Sequence, residues 1–165
     1  MIWQVLLEGI CACFILLIVC VVGIANGPVG LVVLYEKEVQ QRAVALGLTT
    51  EAKIRQNARY FHLFGLLPFF VFILVSVYGI NGARGFLEGF WQLTAILLIG
   101  GLFDRFFIDW YWVGKTKAWV ISGTEDLMPY IYGKSLVIKW LTTLVGYPIL
   151  AAIIAGVMSL IVGYF

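Results

Sequence analysis

Charged residues are scarce in this chain. They make up 12% of its 165 residues, whereas 62% are hydrophobic and the mean hydropathy is +1.01. A soluble domain is about one quarter charged and about half apolar, so water cannot be the main solvent of this protein. The net charge of +2 is small and the basic residues lie in two short loops, a pattern that argues against nucleic-acid binding. We expect one membrane domain, residues 1–165, with no separate soluble unit.

Residues that commonly bind metals or carry out catalysis are also few. The chain has one histidine, His62, and three cysteines, all within the first apolar run, with no CxxC and no Cys/His cluster. Buried cysteines of this kind usually behave as small apolar residues. The Gly-Lys-Thr at 114–116 lacks the upstream glycine of a P-loop. The sequence therefore predicts no metal site and identifies no cofactor.

Long apolar runs are what the sequence has in abundance. Four runs reach the roughly 20 residues that a membrane-spanning helix needs, at about 3–24, 60–80, 86–103 and 136–164. Asn26-Gly27-Pro28 predicts a helix break after the first run, with Asn26 as a cap and an amphipathic helix that ends at Gly47. The fold class is all-α integral membrane, a four-transmembrane-helix bundle with a structured cytoplasmic loop between helices 3 and 4.

The basic residues predict the orientation of the spans. The loops at about 36–59 and 104–135 carry nearly all lysines and arginines, whereas the turn between spans two and three has only Arg84. Basic loops are retained on the cytoplasmic side. We therefore expect a plasma (cytoplasmic) membrane protein with both termini on the non-cytoplasmic side.

A stretch of charged and aromatic residues follows the third span and is the strongest candidate site. Arg105 and Asp109 are four apart and should pair, whereas Asp104 lies about 140° from Asp109 on an α-helix, which argues against a two-Asp metal clamp. The second span brings further polar residues to the same membrane face. The candidate acids or bases are Asp109, Asp104 and His62, and the candidate ligand-binding residues are Arg59, Arg105, Trp110, Lys115, Lys117 and Asn57. The alternative is an interfacial salt-bridge network with no ligand.

The loop that follows is too long for a structureless connector, so we expect it to fold back on the bundle. Lys117 to Ser122 resembles a short extended segment. Glu125 and Asp126 are suited to a helix N-terminus and could pair with Lys115 and Lys117. Lys139, at the start of the fourth span, should extend to the membrane surface.

Two acids, Glu8 and Glu88, lie near the opposite membrane face. Carboxylates at membrane depth are costly and often functional. Gln4 and Gln92, each four residues from one of these acids, could satisfy them locally.

Three functions remain open from the sequence. The first is an interfacial enzyme or binding protein for an anionic amphiphile or lipid headgroup. The second is a small carrier or channel subunit with a path between the two faces, and the third is a structural subunit of a membrane complex. The first is favoured because the middle of each span is almost free of polar residues. The expected partners are membrane lipid, a small anionic or amphiphilic ligand and a second copy of the chain. The small residues Ala151 and Ala155 suit close helix packing, either within the chain or between two copies of it.

The layout of four helices with a basic first loop running into Arg55, Asn57 and Arg59 is loosely similar to that of the glutathione-dependent membrane enzymes of eicosanoid metabolism. The similarity is one of topology. The long aromatic third loop departs from that plan, and the glutathione-binding residues of those enzymes are not matched.

Overall fold

A computed structural model describes residues 1–162, in which the chain is helical and contains no strand. Four helices are long and apolar enough to cross a membrane, as the sequence predicts. The predicted end of the fourth span at Tyr164 lies outside the described residues. The long helices are α1 (Ile2–Ile24), α3 (Glu51–Ile80), α4 (Phe86–Val113) and α5 (Gly133–Ile161), and a 3₁₀ segment (Pro28–Leu34) and the short helix α2 (Lys37–Ala45) connect α1 to α3.

Three of the long helices extend beyond the apolar runs that predict them. The Thr50 hydroxyl accepts a hydrogen bond from the Lys53 amide at 3.2 Å, so α3 begins at Glu51, ahead of its apolar run. Helix α4 continues through the charged stretch to Val113, and α5 begins at Gly133. The predicted loops 36–59 and 104–135 are therefore largely helical at their ends.

Close helix contacts place α4 at the centre of the bundle, between α1 and α5, while α3 packs on α1. A Cβ atom on Gly9 of α1 would come within 2.6 Å of Ile99, and one on Gly101 would come within 2.6 Å of Tyr147. Glycine at these positions lets the helix backbones approach closely. Ala151 and Ala155 are fully buried inside the bundle, so this pair of small residues serves packing within the chain.

The two ends of the bundle differ. The turn end carries Met1 and the tight turn 81–85. The loop end carries the 3₁₀ segment, α2 and the third loop, residues 114–132. At the break after α1, Gly27 with φ +103° precedes the 3₁₀ segment, so Gly27 rather than Asn26 occupies the cap position. Glycine adopts this conformation without the steric cost that a Cβ would bring.

Large apolar side chains cover the outward surface of all four long helices, among them Trp3, Val22, Phe64, Leu87, Ile153 and Leu160. A continuous apolar exterior of this kind is unfavourable in water and favourable in hydrocarbon. Together with the helix lengths, it suggests a membrane protein.

Candidate anion site at the loop end

Four charged side chains from α4 and α5 form one buried ion cluster near the loop end: Asp104, Arg105, Asp109 and Lys139. Arg105 contacts both Asp104 and Asp109, and the side chains of Arg105 and Asp109 are each only 6% exposed. Lys139 Nζ donates to Asp109 Oδ1 at 2.8 Å. Two acids and two bases make the cluster neutral, which lowers the cost of burying its charges.

The backbone geometry of α4 explains why both acids reach Arg105. Residues Asp104–Val113 form π-helical turns, in which the hydrogen bonds run from i to i+5. Positions five apart then come closer to one face than they would on an α-helix. Asp104 and Asp109 therefore flank Arg105, which differs from the separation expected on an α-helix. No group of three or more potential metal-ligating residues occurs within residues 1–162.

The position of Lys139 differs from the sequence prediction that this side chain extends to the membrane surface. Its side chain is only 23% exposed and bonds to Asp109, so it links α5 to α4. The sequence shows that a lysine lies in the first turns of an apolar helix. It does not show which acid on a neighbouring helix this lysine contacts. Inward pairing is the more favourable choice here because Asp109 would otherwise have a single cationic partner.

A cavity of about 450 Å³ lies beside the ion cluster, between the loop-end halves of α4 and α5. Arg105 and Asp109 form its polar wall. Its aromatic wall comes from Phe106, Trp110 and Trp140, with Leu136, Ile131, Pro129, Gly114 and Lys115 completing the lining. Phe106 and Trp110 are also exposed on the outer surface of the bundle. The cavity is therefore a mixed polar and aromatic site at the border between the apolar exterior and the loop end.

Lys115 is the exposed cation of this cavity. It is exposed, forms no salt bridge with any residue in 1–162, and its Nζ lies 6.0 Å from the centre of the Trp110 ring. A cation over an indole face is held weakly, by about 0.5–1 kcal/mol at an exposed site. Lys115 can therefore exchange the ring for an anion at low cost.

Arg105 also retains hydrogen-bonding capacity. Its Nε is buried and has no hydrogen-bond acceptor within the described part of the chain. Buried donors of this kind are rare, because an unsatisfied donor costs about 1–3 kcal/mol. The side chain is thus both a wall of the cavity and incompletely satisfied.

The third loop folds back on the bundle, as the sequence predicts. Its residues cover one side of the cavity. The Tyr130 hydroxyl accepts from the Ile121 amide at 2.8 Å and lies 2.8 Å from the Thr124 hydroxyl, and all three residues are buried. This network fixes the chain next to Pro129 and Ile131, which line the cavity.

Two details of this loop differ from the predictions. Lys117–Trp119 forms a 3₁₀ turn instead of the first half of an extended segment. Glu125 accepts from the Gly123 amide and Asp126 pairs with Arg42, so neither acid engages Lys115 or Lys117. Arg42 lies on α2, and its contact with Asp126 could not be foreseen without the packing of α2 against the loop.

Tyr35 packs beneath the third loop, with its ring 4.8 Å from that of Tyr130 and 6.4 Å from that of Trp119. Burial raises the pKa of the Tyr35 hydroxyl far above its ordinary value, and the neighbouring Tyr130 and Cys20 raise it further. Tyr35 is therefore a neutral packing residue at the loop end.

Four of the predicted site residues lie away from the cavity: Asn57, Arg59, His62 and Lys117. Asn57 donates to the Gly30 carbonyl at 2.9 Å, on the other side of α1. Arg59, His62 and Lys117 are exposed. The candidates that the fold brings together are Asp104, Arg105, Asp109, Trp110 and Lys115, and those that sequence reasoning missed are Phe106, Leu136, Lys139 and Trp140.

The two acids of the turn end have different environments. Glu8 is buried, and Asn81 donates to Glu8 at 2.9 Å and to Gln92 at 2.8 Å. Glu88 is exposed and accepts from the amides of Arg84 and Gly85, which closes the N-terminus of α4.

Fully buried apolar side chains separate the polar groups at the two ends, among them Leu93, Ile96 and Leu97 of α4 and Ile73 of α3. Comparison of the chain with models of known protein families, with curated proteins and with solved structures finds no match.

Proposed function

We propose that the protein is an integral membrane protein that binds the anionic headgroup of an amphiphile in the cavity between α4 and α5. The loop end faces the cytoplasm in this proposal, because it carries the exposed basic residues while the turn end has Arg84 alone. The ligand's apolar part lies along the exposed aromatic residues of α4. Its anionic group enters the cavity and meets Lys115 and Arg105.

The observation that carries the proposal is the position of Arg105. It is almost fully buried, it lines the cavity, and one of its donors is unsatisfied. Two acids hold the guanidinium in place. Because Lys115 also lines the cavity, the lining carries more positive than negative charge. Cations in a partly dehydrated site bind phosphate or carboxylate more strongly than fully hydrated ones do.

Binding is better supported than catalysis. Asp109 is engaged by Arg105 and Lys139, and Asp104 by Arg105, so neither acid is a free base. His62 is exposed on α3 and does not line the cavity. A general base must lie within hydrogen-bond reach of the proton that it removes. The carrier alternative lacks a comparable observation, since buried apolar residues separate the two polar ends.

The test is lipid retention by purified protein, measured by native mass spectrometry with phosphatidylglycerol or phosphatidylcholine in the micelle. We expect the parent protein to retain phosphatidylglycerol in preference to phosphatidylcholine. Lys115→Gln should weaken this retention about tenfold, which corresponds to about 1.4 kcal/mol for one charge-assisted contact. Lys134→Gln is the matched control, because Lys134 is also exposed and lies outside the cavity. Equal losses in the two variants, or equal retention of both lipids by the parent, would refute the proposal.

The orientation has its own test. In a variant without the three native cysteines, a cysteine replacing Arg84 should react with a membrane-impermeant thiol reagent added outside sealed cells, and one replacing Lys37 should react only after lysis. Both native residues are exposed, so labelling reports sidedness rather than burial. The reverse pattern would place the loop end outside.

A further inference from the structure

A second, larger cavity of about 820 Å³ lies on the opposite side of α1 from the ion cluster, where α1, the 3₁₀ segment and α3 meet. It shares no lining residue with the first cavity. Its inner walls are apolar and include Ile18, Val22 and Phe64, whose side chains are also largely exposed on the outer surface. The cavity is thus a slot that opens sideways, toward the region that hydrocarbon would occupy.

One end of the slot is polar and carries a cation. Lys53, Asn57 and Thr49 line it at the loop end. Lys53 is exposed and forms no salt bridge with any residue in 1–162, whereas Arg55 on the same helix is paired with Glu51. The slot therefore presents one uncompensated positive charge at its mouth and apolar walls below it.

The length of the slot corresponds to one leaflet. From Lys53 to Gly65 the α3 wall covers thirteen residues, or roughly 18 Å for twelve steps of about 1.5 Å each. Half of a hydrocarbon core of about 30 Å is about 15 Å. An extended acyl chain with its headgroup at Lys53 would end near the middle of the bilayer.

The packing around the slot fixes its shape. A Cβ on Gly30 would come within 2.5 Å of the Gly23 carbonyl oxygen, and one on Gly65 within 2.8 Å of Val19. The hydrogen bond from Asn57 to the Gly30 carbonyl holds α3 against the 3₁₀ segment. Residues Phe61–Leu66 form a π-helical turn along the α3 wall. The elements that border the slot are therefore in direct contact at its edges.

We propose that this slot holds one acyl chain of an anionic glycerophospholipid, with Lys53 contacting its phosphate. The inference depends on the proposed insertion of the four helices in a bilayer but not on the anion site at Arg105. An apolar slot open to hydrocarbon is filled by the chains around it, and the lone cation at its mouth selects a lipid of opposite charge. Because each wall is already in contact at its edges, the lipid acts as a fixed part of the fold between α1 and α3.

The experiment is photo-crosslinking with peptide mapping. The protein is reconstituted in phosphatidylcholine vesicles that contain a small fraction of phosphatidylglycerol with a diazirine in one acyl chain. Parallel arms carry the diazirine on phosphatidylcholine or on a free fatty acid. In the parent, we expect cross-links to concentrate on peptides covering 18–30 and 57–65, and to be several times more frequent from phosphatidylglycerol than from the other two probes.

Two pairs of variants make the test specific. Val22→Trp fills the slot, and Val21→Trp is its control, since Val21 is the neighbouring exposed valine on α1 and does not line the slot. The first change should reduce cross-linking in the slot about tenfold and the second should leave it unchanged. Lys53→Gln should abolish the preference for phosphatidylglycerol, whereas Lys37→Gln, at an exposed lysine outside the slot, should preserve it. Circular dichroism checks that all variants keep the helical content of the parent.

The contrary outcomes are distinct. Cross-links spread evenly over the outward faces of all helices, or equal cross-linking in the two tryptophan variants, would overturn the slot while leaving membrane insertion intact. Equal or greater cross-linking by the fatty acid or by phosphatidylcholine would overturn the choice of an anionic glycerophospholipid. Absence of cross-links from all four long helices would overturn membrane insertion and this inference with it.

Discussion

Asp109→Asn is the most informative perturbation of the ion cluster, because it removes a single charge without changing the shape of the side chain. It leaves Arg105 and Lys139 with Asp104 as the sole acid of the cluster, so one buried positive charge becomes uncompensated. Breaking a buried ion pair in this way costs about 3–5 kcal/mol. For a chain of this length, each kcal/mol shifts the unfolding temperature by about 2–4 °C. We therefore expect Asp109→Asn to lower it by about 6–20 °C in detergent, measured by tryptophan fluorescence.

The chain contains a matched control for this prediction. Arg55 and Glu51 form an ion pair four residues apart, as Arg105 and Asp109 do, but its side chains are 67% and 78% exposed. Exposed helix pairs contribute about 0.3–0.5 kcal/mol. Glu51→Gln should therefore shift the unfolding temperature by less than about 2 °C.

A double variant distinguishes the effect of lost charge balance from the effect of altered side-chain shape. Asp109→Asn with Lys139→Gln restores neutrality, with Asp104 against Arg105. The double variant should lose less stability than the sum of the two single variants, by a coupling of about 0.5–3 kcal/mol. Additive losses, together with an Asp109→Asn effect no larger than that of Glu51→Gln, would refute the buried cluster as a charge-balanced unit.

Three further predictions concern the rest of the fold, each checked by the same thermal assay. Asn81→Ala should cost about 1–3 kcal/mol, because it leaves the buried Glu8 carboxylate without its donor. Gly30→Ala should destabilise the fold by about 1–3 kcal/mol, because the added Cβ clashes with the Gly23 carbonyl oxygen. Gly156→Ala is the control and should be neutral or stabilising, because a Cβ there has no neighbour within 4 Å. Equal effects of the two changes would contradict the close contact at Gly30. Because the raised pKa of Tyr35 keeps its proton on the folded protein while the unfolded chain loses it near pH 10, stability should fall as the pH rises above about 10, and less steeply in Tyr35→Phe.

The sequence was sufficient for the four long helices because each apolar run exceeds the length of a soluble core helix. It also predicted the pairing of Arg105 with Asp109, since residues four apart on a helix face each other. The apolar runs alone do not mark the helix ends, because polar residues continue a helix once its backbone hydrogen bonds have begun. Thus α4 continues through its charged stretch to Val113.

Contacts between distant elements could not be predicted from periodicity. The approach of Lys139 to Asp109 and the role of Trp140 depend on how α5 packs on α4. The role of Asn81 depends on how α1 packs on α4 at the turn end. The inclusion of Asp104 in the ion cluster depends on π-helical turns, for which the assumption of 100° per residue does not hold. The cavity walls are a further consequence of tertiary structure, since they combine two helices and the third loop.

For the proposed insertion into a membrane, the bond between Lys139 and Asp109 has a consequence. Within the ion cluster, the loop-end part of α4 carries Asp104, Arg105 and Asp109 and so one unmatched negative charge, and α5 supplies the matching positive charge on Lys139. A charged residue at the centre of an inserting helix costs about 2.5–3.5 kcal/mol on biological insertion scales. A nascent chain that ends after Val113 would bear part of this cost. We therefore expect α4 to leave the insertion machinery for the lipid together with α5, as a helical hairpin whose ion cluster is neutral only when both helices are present.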